Sequence, residues 1–192
     1  MKSYKVALSL CLMATFASAL PLSAAGPFKF KSGQSWDVEQ SMNYGTVSNK
    51  MTMKTKVSKV NKDGSALLEL SAGPQIPTTF NLVTPEGRVY IVSGEERNLM
   101  DWYKVPAEQI AVGKTIKMKD PDEESWTVTR LKDESLQSVG CEVYEAKSGR
   151  GGTPISELTW FSRKDGFWIK RKLMQGGEQP VLIEQSRLIK GK

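Results

Sequence analysis

Histidine is missing from all 192 residues. That removes the usual general base, the commonest metal ligand and every Ser-His-Asp or Cys-His arrangement. Cysteine is scarce: Cys11 and Cys141 are the only two, and neither a zinc site nor a disulfide framework can be built from so few. No apolar run reaches the about 20 residues that a membrane-spanning helix needs. Nor does one sign of charge dominate. The 27 basic and 21 acidic residues are interspersed, which marks a solvated surface and not a nucleic-acid footprint. No metal, cofactor or nucleic acid is therefore expected, and carboxylates and aromatics are left to carry the function.

The N-terminus reads as an address. Lys2 and Lys5 precede an apolar run over 6–16, and Ala17-Ser18-Ala19 offers a small-x-small cleavage pattern, with Ser23-Ala24-Ala25 as a second. Residues 1–25 are expected to be a cleaved signal peptide, and 26–192 a single periplasmic or secreted β-rich domain. A lipoprotein signal at Leu8-Ser9-Leu10-Cys11 does not fit, because Leu10 is bulky and Cys11 lies inside the apolar run. Cleavage would remove two lysines, leaving 25 basic residues against 21 acidic. It would also leave Cys141 alone, so the fold must be held by its core. Cys141 lies in a strand-like run and reads as a buried small hydrophobe, not a nucleophile.

Past the leader the pattern is period-2. Trp36, Val38, Met42 and Tyr44 share one parity, interrupted by Gln40; Met51, Met53, Thr55 and Val57 form a second row, and Ala66, Leu68 and Leu70 a third. Thr84-Pro85-Glu86-Gly87 and Arg163-Lys164-Asp165-Gly166 each separate two strand-like runs and predict hairpins closed by a glycine with positive φ. About nine to eleven short strands in a mainly antiparallel sheet are expected. The connector 94–110 is the best helix candidate. Glu95 and Glu96 suit a helix N-terminus, Leu99, Trp102 and Tyr103 fall at i, i+3 and i+4, and Pro106 ends the segment.

The two halves of the chain align. Gly33 matches Gly113 and Phe80 matches Trp160 at a separation of 80, and Gly87 matches Gly166 at 79. Segments 33–93 and 113–190 are either two copies of one unit of about 80 residues or two β-meanders with similarly placed turns, and both readings stay open. Lys170-Arg171-Lys172 is the nearest thing to a basic patch. Arg171 points away from its two neighbours on a strand, and the run reads as a basic edge strand that resists aggregation.

Few carboxylates are placed for chemistry. Asp120, Asp122, Glu123 and Glu124 lack the spacing of a calcium loop and read as a solvated turn. Glu142 and Glu145 point to opposite strand faces, which argues against a paired glycosidase-type site. No catalytic residue is assigned. The candidate apolar binding residues are Trp36, Phe80, Trp102, Tyr103, Trp126, Trp160 and Trp168. Trp160 and Trp168 share the parity assigned to the interior, with Phe161 and Phe167 opposite. Met51 and Met53 would suit an adaptable cavity.

Gly113-Lys114-Thr115, the run Gly140-Cys141-Glu142-Val143-Tyr144 and the hairpin from Trp160 to Lys170 resemble recurring parts of bacterial periplasmic domains of unknown function. Those domains are similar in turn to the outer-membrane lipoprotein carriers. The resemblance covers mainly 110–190. It implies a curved antiparallel sheet or half-barrel with one helix packed on its concave side, and it carries over no catalytic residue. The expected activity is non-catalytic binding of a lipid, lipidated or other apolar partner. The alternative is an envelope protein–protein interaction module, and an enzyme of unknown type comes third.

Overall fold

The computed structural model describes residues 26–148, 153–177 and 180–188; the predicted signal peptide 1–25 lies outside them. The described residues form one antiparallel sheet of thirteen strands. The first six are β1 (Ser35–Tyr44), β2 (Val47–Val60), β3 (Ala66–Ser71), β4 (Thr79–Val83), β5 (Arg88–Ser93) and β6 (Glu96–Trp102). The others are β7 (Thr115–Lys119), β8 (Ser125–Arg130), β9 (Glu134–Leu136), β10 (Val139–Ser148), β11 (Ile155–Ser162), β12 (Phe167–Gln175) and β13 (Val181–Leu188).

Their order across the sheet is β6-β5-β4-β3-β2-β1-β13-β12-β11-β10-β8-β7, with β9 paired to β10. This is two six-stranded meanders laid side by side, joined where β1 pairs with β13 from Asp37↔Leu188 to Tyr44↔Val181. Each meander is entered through the same turn. Gln34 N donates to Lys31 O with Gly33 at φ 79, and Lys114 N donates to Ala111 O with Gly113 at φ 82. The next bonds also correspond, Gly33 N to Val57 O and Gly113 N to Arg130 O.

The strands follow the alternation in the sequence. On β2, Thr55 and Val57 are buried while Lys54 and Lys56 are exposed. Such rows, with Trp36, Val38, Leu68, Val83, Val128 and Tyr144, make one continuous core on the inner face. Both predicted hairpins form. Gly87, at φ 85, donates its N–H to Thr84 O, and Gly166, at φ 65, donates to Ser162 O.

The sheet is not closed by hydrogen bonds, yet its edges β6 and β7 approach each other. Lys104 Nζ lies 4.5 Å from the Trp126 ring centroid, and Trp102, Met118 and Pro121 line a common cleft. Two extended segments fill much of the hollow. Residues 26–30 run between the two glycine hairpins, with Phe28 N donating to Pro85 O and Lys29 N to Gly166 O. The Phe28 ring lies 5.2 Å from those of Tyr103 and Phe161. The second segment is a strap, 103–110, that leads from β6 towards β7.

Three expectations are corrected here. Among the described residues there is no helix; the segment predicted as helical is β6 followed by the strap. Gly94, at φ 61, leads a two-residue turn that pairs Ser93 with Glu96, so Glu95 and Glu96 belong to a hairpin. Met100 is a bulge between the pairs Tyr90↔Leu99 and Val89↔Asp101. The extra residue resets strand parity and imitates helical spacing at Leu99 and Trp102. Pairing β6 also satisfies the backbone of β5, which would otherwise be a bare edge.

Second, β12, carrying Lys170-Arg171-Lys172, lies between β11 and β13 and is not an edge strand. Third, the register of β11 and β12 shifts between Trp160 and Phe161. Phe161 therefore pairs with Trp168 and faces the core, whereas Trp160 pairs with Lys170 outside it.

Cys141 is 2% exposed, its thiol donating to Val139 O at 3.4 Å, and burial pushes its pKa up to about 11. A thiol reagent at neutral pH should label it only as urea unfolds the chain, since the thiolate is the reactive form. Rapid labelling of the native protein would contradict this placement.

Candidate functional site

A hollow lies against the inner face of the first meander. Over the second, the strap and 26–30 cover the inner face. Over the first, small or flexible side chains leave a cavity of about 320 Å³. Trp36, Val38, Met53, Leu68, Leu70 and Ile91 supply its apolar wall. Phe167 and Trp168, whose rings stack 5.1 Å apart, close one end beside Tyr103. Burial is the main cause that pushes the Tyr103 phenol up to about 12, so it stays neutral.

Arg171 and Asp101 also line the cavity, and both belong to a buried ion cluster. Arg171 Nη1 lies 2.8 Å from Asp101 Oδ2, and its Nε and Nη2 lie 2.9 Å from Glu157 Oε1. Behind them Lys104 Nζ sits 3.0 Å from Glu157 Oε2 and 3.7 Å from Asp101 Oδ1. Thr159 Oγ1 donates to Glu157 at 3.0 Å. Burial by itself would raise the Asp101 carboxyl, but Arg171 and Lys104 outweigh it and hold the group below its usual value. Arg171 is likewise disfavoured by burial and held charged by Asp101 and Glu157. Two cations and two anions leave this cluster neutral.

A second cluster fastens the strap. Glu142 accepts hydrogen bonds from Tyr144 Oη at 2.7 Å, from Arg163 Nε at 2.9 Å and from Gln109. Arg163 Nη1 donates to Ala107 O at 3.0 Å, and Arg130 Nη1 to Ile110 O at 2.8 Å. Tyr144 is pushed up to about 12 by burial and by its bond to Glu142. The inward carboxylates Asp101, Glu142 and Glu157 are thus all neutralised by cations, an arrangement suited to holding structure.

The seven aromatics singled out in the sequence fall into three places. Trp36, Tyr103 and Trp168 line the cavity together. Trp102 and Trp126 are buried where the two sheet edges approach, with Lys104 over both rings. Phe80 and Trp160 stand apart from the cavity. Phe80 is 39% exposed on the outer face, since its neighbours Thr79 and Asn81 take the inward positions, and Trp160 donates its Nε1 to Glu134 at 2.7 Å.

Sequence reasoning missed Asp101, Lys104, Glu157 and Arg171 as a unit. The one signal was the parity of Arg171, which sets it opposite Lys170 and Lys172. An inward arginine requires inward carboxylates.

No protein-family model matches the chain, and no curated protein matches it. Solved structures similar to the chain include two of low sequence identity. One is a DUF1329 family protein from Desulfovibrio piger, 16% identical, covering 81% of this chain and 85% of that one at a TM-score of 0.24. The other, from Vibrio parahaemolyticus, is described as an outer membrane lipoprotein-sorting protein domain. It is 12% identical and covers 86% of this chain and 89% of that one at a TM-score of 0.22. At these TM-scores neither likeness carries a functional argument.

Proposed function

We propose that the protein is a non-catalytic receptor for a lipid-like or otherwise apolar ligand, working in the bacterial periplasm. The observation that carries this reading is the cavity walled by Trp36, Met53, Leu70, Phe167 and Trp168 on the inner face of the sheet. Concave, mostly apolar cavities with a few polar groups are the usual form of small-molecule sites. The non-catalytic part rests on two facts: the chain has no histidine, and its inward carboxylates are tied up in ion pairs. The periplasmic part rests on the leader pattern at 1–25.

Binding of the apolar fluorophore N-phenyl-1-naphthylamine tests the reading. Ile91 lines the cavity but is 41% exposed, so a larger side chain there can be tolerated while it narrows the cavity. Ile91→Trp should weaken fluorophore binding by about tenfold or more, and Trp160→Ala, outside the cavity, should leave it unchanged. Equal affinities for wild type and Ile91→Trp would sink the proposal.

A second reading, docking of a protein, is favoured by the outer face of the first meander. There Leu67, Leu82, Tyr90 and Leu99 pair in one row across four strands, and Phe80 and Leu99 are exposed. Phe80→Ser with Leu99→Ser should abolish a stoichiometric protein complex, if one forms, without changing fluorophore affinity.

A further inference from the structure

We infer that the ligand of this cavity is a single-chain apolar molecule with an uncharged head that both donates and accepts hydrogen bonds. This deepens the receptor reading above and rests on it. The first observation is size. The cavity, of about 320 Å³, stands near the lower end of the roughly 300–1,000 Å³ usual for small-molecule sites. A space of that size suits one chain better than two.

The second observation is charge. Arg171 and Asp101 are the ionised groups that line the cavity, and they are paired to each other at 2.8 Å. An anionic head would have to compete for Arg171 with Asp101 and with Glu157, which is 1% exposed, leaving Lys104 as the one cation wholly given to the two carboxylates. A cationic head would set Asp101 against Arg171 in the same way. The neutral cluster therefore offers a charged head of either sign no unpaired partner.

The third observation is a pair of polar side chains without partners. Asn81 is 8% exposed and Thr55 3%, both line the cavity, and among the described residues neither side chain has a hydrogen-bond partner. The register sets them on either side of β3 on the same inner face: Leu68 pairs with Asn81, and two residues along β3, Leu70 pairs with Thr55. A carboxamide and a hydroxyl that face one cavity with no partner in the protein are free to bond a ligand there. Between them they offer both donors and acceptors, which an uncharged ester or alcohol head matches.

The test is displacement of N-phenyl-1-naphthylamine from the folded protein at pH 8 by three competitors of equal chain length. Monododecanoylglycerol should displace it. Dodecanoate, with the same chain but an anionic head, should need at least about tenfold more, as should didodecanoylglycerol, with two chains. Asn81→Leu and the isosteric Thr55→Val should each weaken monododecanoylglycerol by roughly fivefold to tenfold, and by more than they weaken the fluorophore, which has no hydroxyl or ester for them to bond.

Dodecanoate or didodecanoylglycerol competing as well as monododecanoylglycerol would overturn the inference while leaving the receptor reading intact. So would equal losses for fluorophore and monoacylglycerol in both variants. No fluorophore binding at all would instead overturn the receptor reading, and this inference with it.

Discussion

Glu157→Gln is expected to destabilise the protein by about 3–5 kcal/mol. Glu157 is 1% exposed and is the one carboxylate that both Arg171 and Lys104 approach within 3.0 Å. Glutamine keeps the shape but removes the charge, so two buried cations would share Asp101 alone. Breaking a buried pair from one side costs far more than the pair contributes as a whole, because the remaining charge cannot be resolvated. Lys50→Gln provides the contrast. Its partner Glu39 lies 3.0 Å away, but the two side chains are 64% and 39% exposed, and the loss should stay below about 1 kcal/mol.

Urea denaturation of the three proteins at pH 7 checks the comparison, and similar losses for the two variants would refute it. Acid should act on the same cluster. The Asp101 carboxyl is held below its usual value in the fold. Its contribution is therefore complete above the unfolded carboxylate pKa, about 4, and is lost as pH falls through the folded value. Asp101→Asn should flatten the decline of the wild-type urea midpoint below about pH 4.

Much of the sheet was legible in the sequence because its signals are local. Rows such as Ala66, Leu68 and Leu70 fix a strand and its inward face, and Thr84-Pro85-Glu86-Gly87 fixes a hairpin without help from elsewhere. What resisted reading depends on partners remote in sequence. Leu99, Trp102 and Tyr103 have helical spacing only because Met100 bulges against β5, and a bulge is set by the strand opposite.

The same physics misplaced Trp160. A register shift at Trp160/Phe161 turned one aromatic outward and the next inward, which residue parity by itself does not reveal. The ion cluster is assembled across as many as 70 positions, from Asp101 to Arg171, and no local pattern announces such a contact. Trp36, Tyr103 and Trp168 were legible as large aromatics. Their meeting at one cavity was decided by the curl of the sheet and by the strap that brings Tyr103 beneath Trp168.

Gly166→Val and Gly87→Val are each expected to cost roughly 3 kcal/mol or more, for a reason that reaches past the turns themselves. Both glycines hold positive φ, 65° and 85°, which a β-branched residue resists at about 1–3 kcal/mol. Both turns also grip the segment 26–30. A Cβ on Gly166 would lie 2.5 Å from Lys29 Cβ and 2.8 Å from Lys29 N, the group that donates to Gly166 O. A Cβ on Gly87 would lie 2.6 Å from the Phe28 ring and 3.1 Å from Tyr103 O. Gly113 separates the two causes: it has φ 82 but nothing within 4 Å of a built Cβ, so Gly113→Val should cost only the strain. Equal urea midpoints for all three variants would show that contact with 26–30 adds nothing. The cavity supplies a further distinction. Tyr103 N donates to Gly87 O at 2.9 Å and its side chain lines the cavity, whereas Gly166 contacts Lys29, which does not. In variants that still fold, Gly87→Val should therefore weaken fluorophore binding more than Gly166→Val at matched stability.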